Sequence, residues 1–377
     1  MRWYYKHIKS VVDGYPGGFL VKIIHCSDLH LDSKLETNLT PDQALQRNHE
    51  ILHTFSRMVK FAIEEDVDVI LIAGDLFDTE RTRCITTDFI LDTIASAPSI
   101  DFLYLRGNHD ESKQAFAGRS LPRNLKIFTE TWTYFTYDSV VIAGIEINRE
   151  NYEKLYQSLT LQQDSVNFVV MHGQESTKPG IGFVCTPLLK GKNIDYLALG
   201  HIHNYKKERL DRRGVYCYSG CFEGRGFDEC GEKGFVLIDI IDNKVTSKFA
   251  PFSTRTLVEV PVNITGLITV SEIQSQMEKA SSGVSPDSLV RFVLQGSYTL
   301  ETQKDFRFLL PILQNQYFFA KIIDESKLAI SIEDYKYDIS LKGEFIRMTL
   351  ASKRSDQEKE QMICYGIQAL TGEDILL

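Results

Sequence analysis

Leu103-Tyr104-Leu105-Arg106-Gly107-Asn108-His109-Asp110 is the stretch on which the reading of this chain turns. An apolar, strand-like run ends in a glycine, then presents an amide, an imidazole and a carboxylate in three consecutive positions. Candidate metal ligands stand in similar settings at Asp28 and His30, Asp75, His172, His201 and His203. The expectation is a scaffold whose loop tips meet around two metal ions.

Working outward, Val21–Cys26 reads as a buried strand that runs into Ser27-Asp28-Leu29-His30. Thr40-Pro41-Asp42-Gln43 has the form of a helix start, with threonine as N-cap, proline at N1 and glutamine at N3. Leu45, Ile51, Leu52, Phe55, Val59 and Ala62 then recur at near-helical spacing. Val69–Ala73 is a second apolar run, closed by Gly74-Asp75, and Thr86–Ala97 reads as a helix before the third strand, Phe102–Leu105. Three strand–loop–helix units in a row indicate an α/β fold, and open α/β sheets place ligands at the carboxyl ends of their strands. Further strands are expected at Val140–Ile145, Phe168–Met171 and Tyr196–Leu199, with a helix across Asn151–Leu161. Val215–Tyr218, Phe235–Ile240 and Val245–Ala250 read as an antiparallel section that completes a second sheet. Beyond Ser253 no histidine occurs, and strands at Leu289–Leu294 and Phe318–Ile323 with helices at Val270–Ala280 and Thr302–Leu313 indicate a smaller α+β domain. Ser355–Leu370 reads as an exposed helix.

Five of the 9 histidines fall in the loop tips, whereas His7, His25, His49 and His53 do not. A lone histidine at a strand end is usually a structural residue, and Asp-x-His pairs are commonplace. Five glycine-flanked or acidic tips on successive strand ends are not explained by packing. Carboxylate and amide oxygens with imidazole nitrogens, and no thiolate, suit manganese, with iron and zinc as the other candidates. Two such ions lower the pKa of a shared water and brace an attack at phosphorus. The leaving oxygen then needs a proton, and histidine is the usual donor near neutral pH. His109, next to the ligand Asn108, is the candidate acid, with Asp110 to orient it.

These motifs resemble the calcineurin-like metallophosphoesterases: Asp28-x-His30, Gly74-Asp75-x-x-Asp78, Gly107-Asn108-His109-Asp110, His172-Gly173 and Gly200-His201-x-His203, in that order. The resemblance implies a two-sheet β-sandwich flanked by helices, a four-layer fold, followed by the smaller α+β capping domain. It also implies that Asp28, His30 and His203 hold one metal and Asn108, His172 and His201 the other, with Asp75 bridging. Tyr218-Ser219-Gly220, Gly224-Arg225-Gly226-Phe227-Asp228-Glu229 and Gly231-Glu232-Lys233-Gly234-Phe235 are similar to the segment that closes the nuclease domain of SbcD-type DNA repair exonucleases. That likeness implies DNA as substrate, 3′→5′ polarity and an SMC-like coiled-coil ATPase as partner. A phosphodiesterase for a small nucleotide and an assembly subunit with weak, gated nuclease activity are the alternatives, and a homodimer stays open. The domains expected are 21–252 for the nuclease, 253–340 for the cap and 341–377 for a C-terminal helical segment.

Composition sets outer bounds. Across 377 residues, 43% hydrophobic and 25% charged content are ordinary for a globular chain with a sizeable core. The net charge of −9 speaks against a protein coated in nucleic acid, and Pro251–Leu377, with 13 basic against 17 acidic side chains, stands at −4. Autonomous DNA binding leans on lysine and arginine, so that balance argues against a strong grip by the second domain. No apolar run approaches the ~18 residues of a membrane span. The 7 cysteines, without a C-x-x-C pair, suggest small buried hydrophobes and a cytoplasmic compartment. Residues 1–20 read as an unstructured or mis-annotated start, because Gly17-Gly18 can be encoded by a ribosome-binding sequence and Val21 by a GTG start. Asp78 is expected to hold a ligand histidine or the loop. Arg106 is expected in an ion pair and Arg225 and Lys233 as solvated loop charges, with a substrate-phosphate contact as the alternative for all three, and Tyr317-Phe318-Phe319 in a small core, with base stacking as the alternative.

Overall fold

The computed structural model describes residues 20–33, 35, 39–78, 82–110, 116–329 and 335–371. The expected irregular start, apart from Leu20, and the end of the C-terminal segment lie outside the described residues. The chain divides into two compact units, Met1–Thr256 and Leu257–Leu377.

In the first unit β1 (Leu20–Cys26) leads to α1 (Pro41–Glu64), β2 (Val69–Ala73), α2 (Cys84–Ala95), β3 (Asp101–Leu105) and β4 (Leu125–Ile127). There follow β5 (Thr133–Tyr137), β6 (Val140–Gly144), α3 (Leu155–Ser158), β7 (Val166–His172), β8 (Gln174–Ser176), β9 (Phe183–Cys185), α4 (Thr186–Leu189), β10 (Tyr196–Gly200), β11 (Lys206–Arg209) and β12 (Val215–Tyr218). The unit closes with β13 (Gly234–Ile241) and β14 (Lys244–Pro251). One six-stranded sheet has the order β14-β13-β1-β2-β3-β4, the other β11-β12-β10-β7-β6-β5.

Three apolar layers account for the four-layer arrangement. Ile51, Phe55, Met58 and Val59 of α1 and Ile90 and Ile94 of α2 pack with Ile24, Ile70 and Phe102 on the outer face of the first sheet. Ile23, Leu71, Leu103, Phe168, Ala198 and Ile238 fill the space between the sheets. Val169, Leu197 and Tyr218 pack with Leu155 and Leu189 on the outer face of the second. Neighbouring residues on one strand thus serve opposite layers, as the period of two requires. Thr40 and Gln43 form the expected capping box on α1. Leu45, read as part of the apolar face, is 53% exposed, while Arg47 takes a buried place and pairs with Glu223 at 3.0 Å.

Three local expectations change. Only β12 joins the second sheet, because β13 pairs antiparallel with β1 and carries β14 with it. β1 would otherwise leave its main-chain groups unpaired on the side away from β2, and β13 covers that edge. The helix expected across Asn151–Leu161 shrinks to α3, since Asn148 and Asn151 side chains accept from the Asn148, Glu150 and Asn151 N–H groups and favour a turn. Among the described residues no helix follows β3 before β4.

One buried pair crosses the two sheets: His25 Nδ1 on β1 lies 3.0 Å from the Tyr196 hydroxyl on β10. Burial pushes the His25 imidazole down to about 3, opposed by the Leu199 carbonyl. Its folded value lies below the unfolded one, so His25 is neutral in the fold, and the unfolded chain binds the extra proton as pH falls below 6.5. Wild-type stability should therefore drop on acidification from pH 6.5 towards 3. The His25→Asn variant should lack up to about 1.4 kcal/mol per pH unit of that slope. Equal slopes in denaturant titrations of the two proteins would remove His25 as the cause.

The second unit contains β15 (Leu257–Asn263), α5 (Val270–Ala280), β16 (Leu289–Gln295), β17 (Ser297–Tyr298), α6 (Phe306–Gln316), β18 (Phe319–Asp324) and β19 (Lys327–Leu328). α7 (Leu341–Leu350) and α8 (Asp356–Thr371) complete it. β15, β16 and β18 form a parallel sheet whose apolar face meets Ile273 and Met277 of α5 and Leu309 and Leu313 of α6. Tyr317 and Phe319 are buried, as expected of a small core. No described helix is long and apolar enough to cross a membrane.

Candidate metal centre

Parallel pairing sets β1, β2 and β3 in one direction, and likewise β7 and β10 in the other sheet. Each sheet therefore delivers its carboxyl-terminal loops at one end. The first supplies Asp28, His30, Asp75 and Asn108, the second His172, His201 and His203. The loops touch directly, for His172 Nδ1 lies 2.9 Å from the Ala73 carbonyl oxygen at the end of β2.

The backbone is shaped for the site. Asp28, His30, Asp75 and His201 all have positive φ, at 51°, 46°, 52° and 99°. Such conformations cost ~1–3 kcal/mol each and persist where the surroundings enforce them. Here Asp28 N–H donates to the Gly74 carbonyl at 3.0 Å and His30 N–H to that of Asp75 at 3.0 Å. Gly107 permits a close approach, because a Cβ there would lie 2.2 Å from Asp75 Oδ1.

Asp28, His30 and His203 form one group of ligand atoms, and Asp28, Asp75 and His172 form another that shares Asp28 with it. His30 Nε2 and His203 Nε2 face each other at 3.3 Å. Asp75 Oδ2, in the second group, stands 3.4 Å from His172 Nε2 and also 3.9 Å from His30 Nε2 of the first. Asn108 Oδ1 lies 3.0 Å from His172 Nε2 and 3.1 Å from His201 Nδ1. The structure thus brings together all seven residues expected as ligands.

Three outer nitrogens lie close to oxygen atoms. His30 Nδ1 is 2.9 Å from Asp78 Oδ1, His203 Nδ1 is 2.6 Å from Glu229 Oε1, and His172 Nδ1 faces the Ala73 carbonyl. In the neutral tautomer with the proton on Nδ1, each Nε2 presents a lone pair to the interior. Inward lone pairs beside buried carboxylates repel one another unless a cation, metal or proton, lies among them. The donor set therefore fits bound divalent cations. Protonation gives the same picture: burial opposes the charge, but the hydrogen bond and charge of Asp75 raise His172 to about 9. Burial likewise opposes the Asp75 carboxylate, yet His172 and His30 hold it well below the usual range. A cation binding here displaces the proton on His172.

The two expected catalytic residues separate. His109 is exposed, its ring centroid 5.0 Å from that of His30, with Nδ1 3.3 Å from the Asp78 carbonyl oxygen. Asp110 does not orient it. The Asp110 carboxylate is buried and accepts from the N–H groups of Leu76, Phe77 and Gly107 at 2.9, 2.8 and 3.2 Å. It fastens the Asp75 loop to the Asn108 loop. Burial and the Asp75 charge raise it to about 6, against those N–H donors.

Other residues also find their places. Asp78 sits beside His30 as expected, and Arg106 pairs with Glu146 through two contacts of 2.7 Å. Arg225 and Lys233 are not solvated loop charges. Lys233 is buried and donates to the His203 carbonyl and to Asn204 Oδ1, both at 2.8 Å, while Arg225 pairs with Asp78 and Glu229. Glu229 was missed, since nothing in the stretch between it and His203 links the two.

Residues 21–205 match the model of the family described as calcineurin-like phosphoesterase. The fold is that of a calcineurin-like phosphoesterase. The match and the ligand cluster together support hydrolase activity. Among curated relatives, the uncharacterized metallophosphoesterase YhaO of Bacillus subtilis is 27% identical over 73% of this chain and 71% of its own length. The DNA double-strand break repair protein Mre11 of Saccharolobus solfataricus is 29% identical over 58% of this chain and 60% of its own. Among solved structures, TT1561 of Thermus thermophilus is 16% identical over 61% of this chain and 99% of its own, with a TM-score of 0.42.

Proposed function

We propose that this protein is a manganese-dependent nuclease that hydrolyses phosphodiester bonds in DNA, of the SbcD type, and that it works with an SMC-like coiled-coil ATPase. The carrying observation is the set of imidazoles with Nδ1 close to an oxygen and Nε2 turned inward onto Asp28 and Asp75. Asp28, His30 and His203 would hold one cation, Asn108, His172 and His201 the other, with Asp75 shared. Bound cations supply an attacking water of lowered pKa and offset the charge on the phosphoryl oxygens. As an imidazolium, His109 would rest its Nδ1–H on the Asp78 carbonyl and hold its Nε2 proton for the departing oxygen. The segment Tyr218–Phe235 and the likeness to a DNA double-strand break repair protein support DNA as the substrate.

The test is hydrolysis by the purified protein with manganese, comparing single-stranded DNA, duplex ends and bis-p-nitrophenyl phosphate. Cleavage of DNA is expected, with a further rise when the ATPase and ATP are added. Turnover of the small ester without any cleavage of DNA would replace this reading with a phosphodiesterase for a small nucleotide.

A further inference from the structure

One side chain outside the ligand set, Arg225, touches the supports of two ligands at once, and its Nη2 also lies 3.5 Å from His203 Nδ1. Arg225 lies in the loop between β12 and β13, and its side chain is 20% exposed. One terminal nitrogen donates to Asp78 Oδ1 at 2.6 Å, the other to Glu229 Oε1 at 2.9 Å. Those are the same two oxygens that face the histidines: Asp78 Oδ1 toward His30 Nδ1 and Glu229 Oε1 toward His203 Nδ1. The Arg225 backbone N–H adds a bond of 2.7 Å to Glu229 Oε2, so both Glu229 oxygens are fixed. The guanidinium is planar and its terminal nitrogens stand at a fixed separation. It therefore sets the distance between the two carboxylates, and through them the distance between the two imidazoles.

The other ligands have different supports. His172 is held by the Ala73 carbonyl, and Asn108 meets His172 and His201. Asp75 accepts the His109 N–H at 2.8 Å. Arg225 contacts none of these.

We propose that Arg225 is a positioning residue for only one of the two cation positions, that of Asp28, His30 and His203, acting through Asp78 and Glu229. The inference rests on the two-cation reading above. Outer partners of ligating histidines typically govern affinity by about 10–100-fold. Arg225→Gln should weaken one manganese position by that factor and leave the other unchanged. The affected position should be the one abolished by His30→Ala and retained in His201→Ala. Arg225→Lys keeps the charge but reaches only one carboxylate at a time, so it should recover only part of the loss.

The experiment is calorimetric titration of cation-free protein with manganese, together with metal content after dialysis. Wild-type protein that binds fewer than two ions overturns the two-cation reading itself. With two ions bound by wild type, this inference fails if Arg225→Gln keeps both affinities or lowers both alike. Full recovery by Arg225→Lys also overturns it, by reducing the effect to charge. If Arg225→Gln does not fold, Asp78→Asn and Glu229→Gln decide, because both must weaken the same position.

Discussion

His109→Ala should keep both cation positions filled and lose about 10²–10⁴-fold in turnover, the usual worth of a positioned general acid. The loop that ends β3 divides its tasks between neighbours. Asn108 directs its amide oxygen at His172 and His201, whereas His109 stays exposed and rests Nδ1 on the Asp78 carbonyl. His109 is held through its main chain, by the N–H bond to Asp75 Oδ1, and alanine keeps that bond. The side chain can thus be removed without moving the loop. Metal analysis beside steady-state kinetics makes the comparison. Loss of an ion from the variant would make His109 a ligand and end its assignment as the acid, which its closeness to His30 and Asp78 gives as the competing outcome.

Asp75→Ala should disturb both positions together, with a loss of turnover at least as large. Asp75 Oδ2 stands between His172 and His30, one from each group, and Oδ1 holds the His109 N–H. Truncation would remove the ligand proposed as shared and release the loop that carries Asn108 and His109. Asp75→Asn keeps an acceptor for that N–H but gives up the charge, and so separates the two contributions. A variant that retains one position at wild-type affinity in a manganese titration would show that Asp75 is not shared.

Much of the fold and of the cluster was legible in the chain because strand ends and candidate ligands coincide. Apolar runs closed by Asp28, Gly74-Asp75, Gly107-Asn108, His172-Gly173 and Gly200-His201 encode both the sheets and the loops at their ends. What escaped depends on contacts far apart in sequence. Asp110 follows His109 but turns inward to the N–H groups of Leu76 and Phe77, 34 and 33 residues earlier. Arg225 and Glu229 look like charges in a glycine-rich loop until β13 returns to pair with β1. The same pairing moved β13 and β14 to the first sheet, since local alternation cannot say which edge a strand will cover. Asn148 and Asn151 show the reverse case, where side-chain bonds to nearby N–H groups defeated an apolar pattern.

The carboxyl end of β2 meets β7 at His172 and β10 at Gly200. A Cβ at Gly200 would stand 2.0 Å from the Ala73 carbonyl oxygen, so the main chains of the two sheets nearly meet beneath the ligands. Four of the proposed ligands arrive on one sheet and three on the other, so neither half would be a complete receptor. An ion held across this seam acts as a rivet: its binding free energy adds to the docking of the sheets, and only the docked state can receive it. Substitutions deep between the sheets, well away from any ligand, will then be felt as changes in metal affinity.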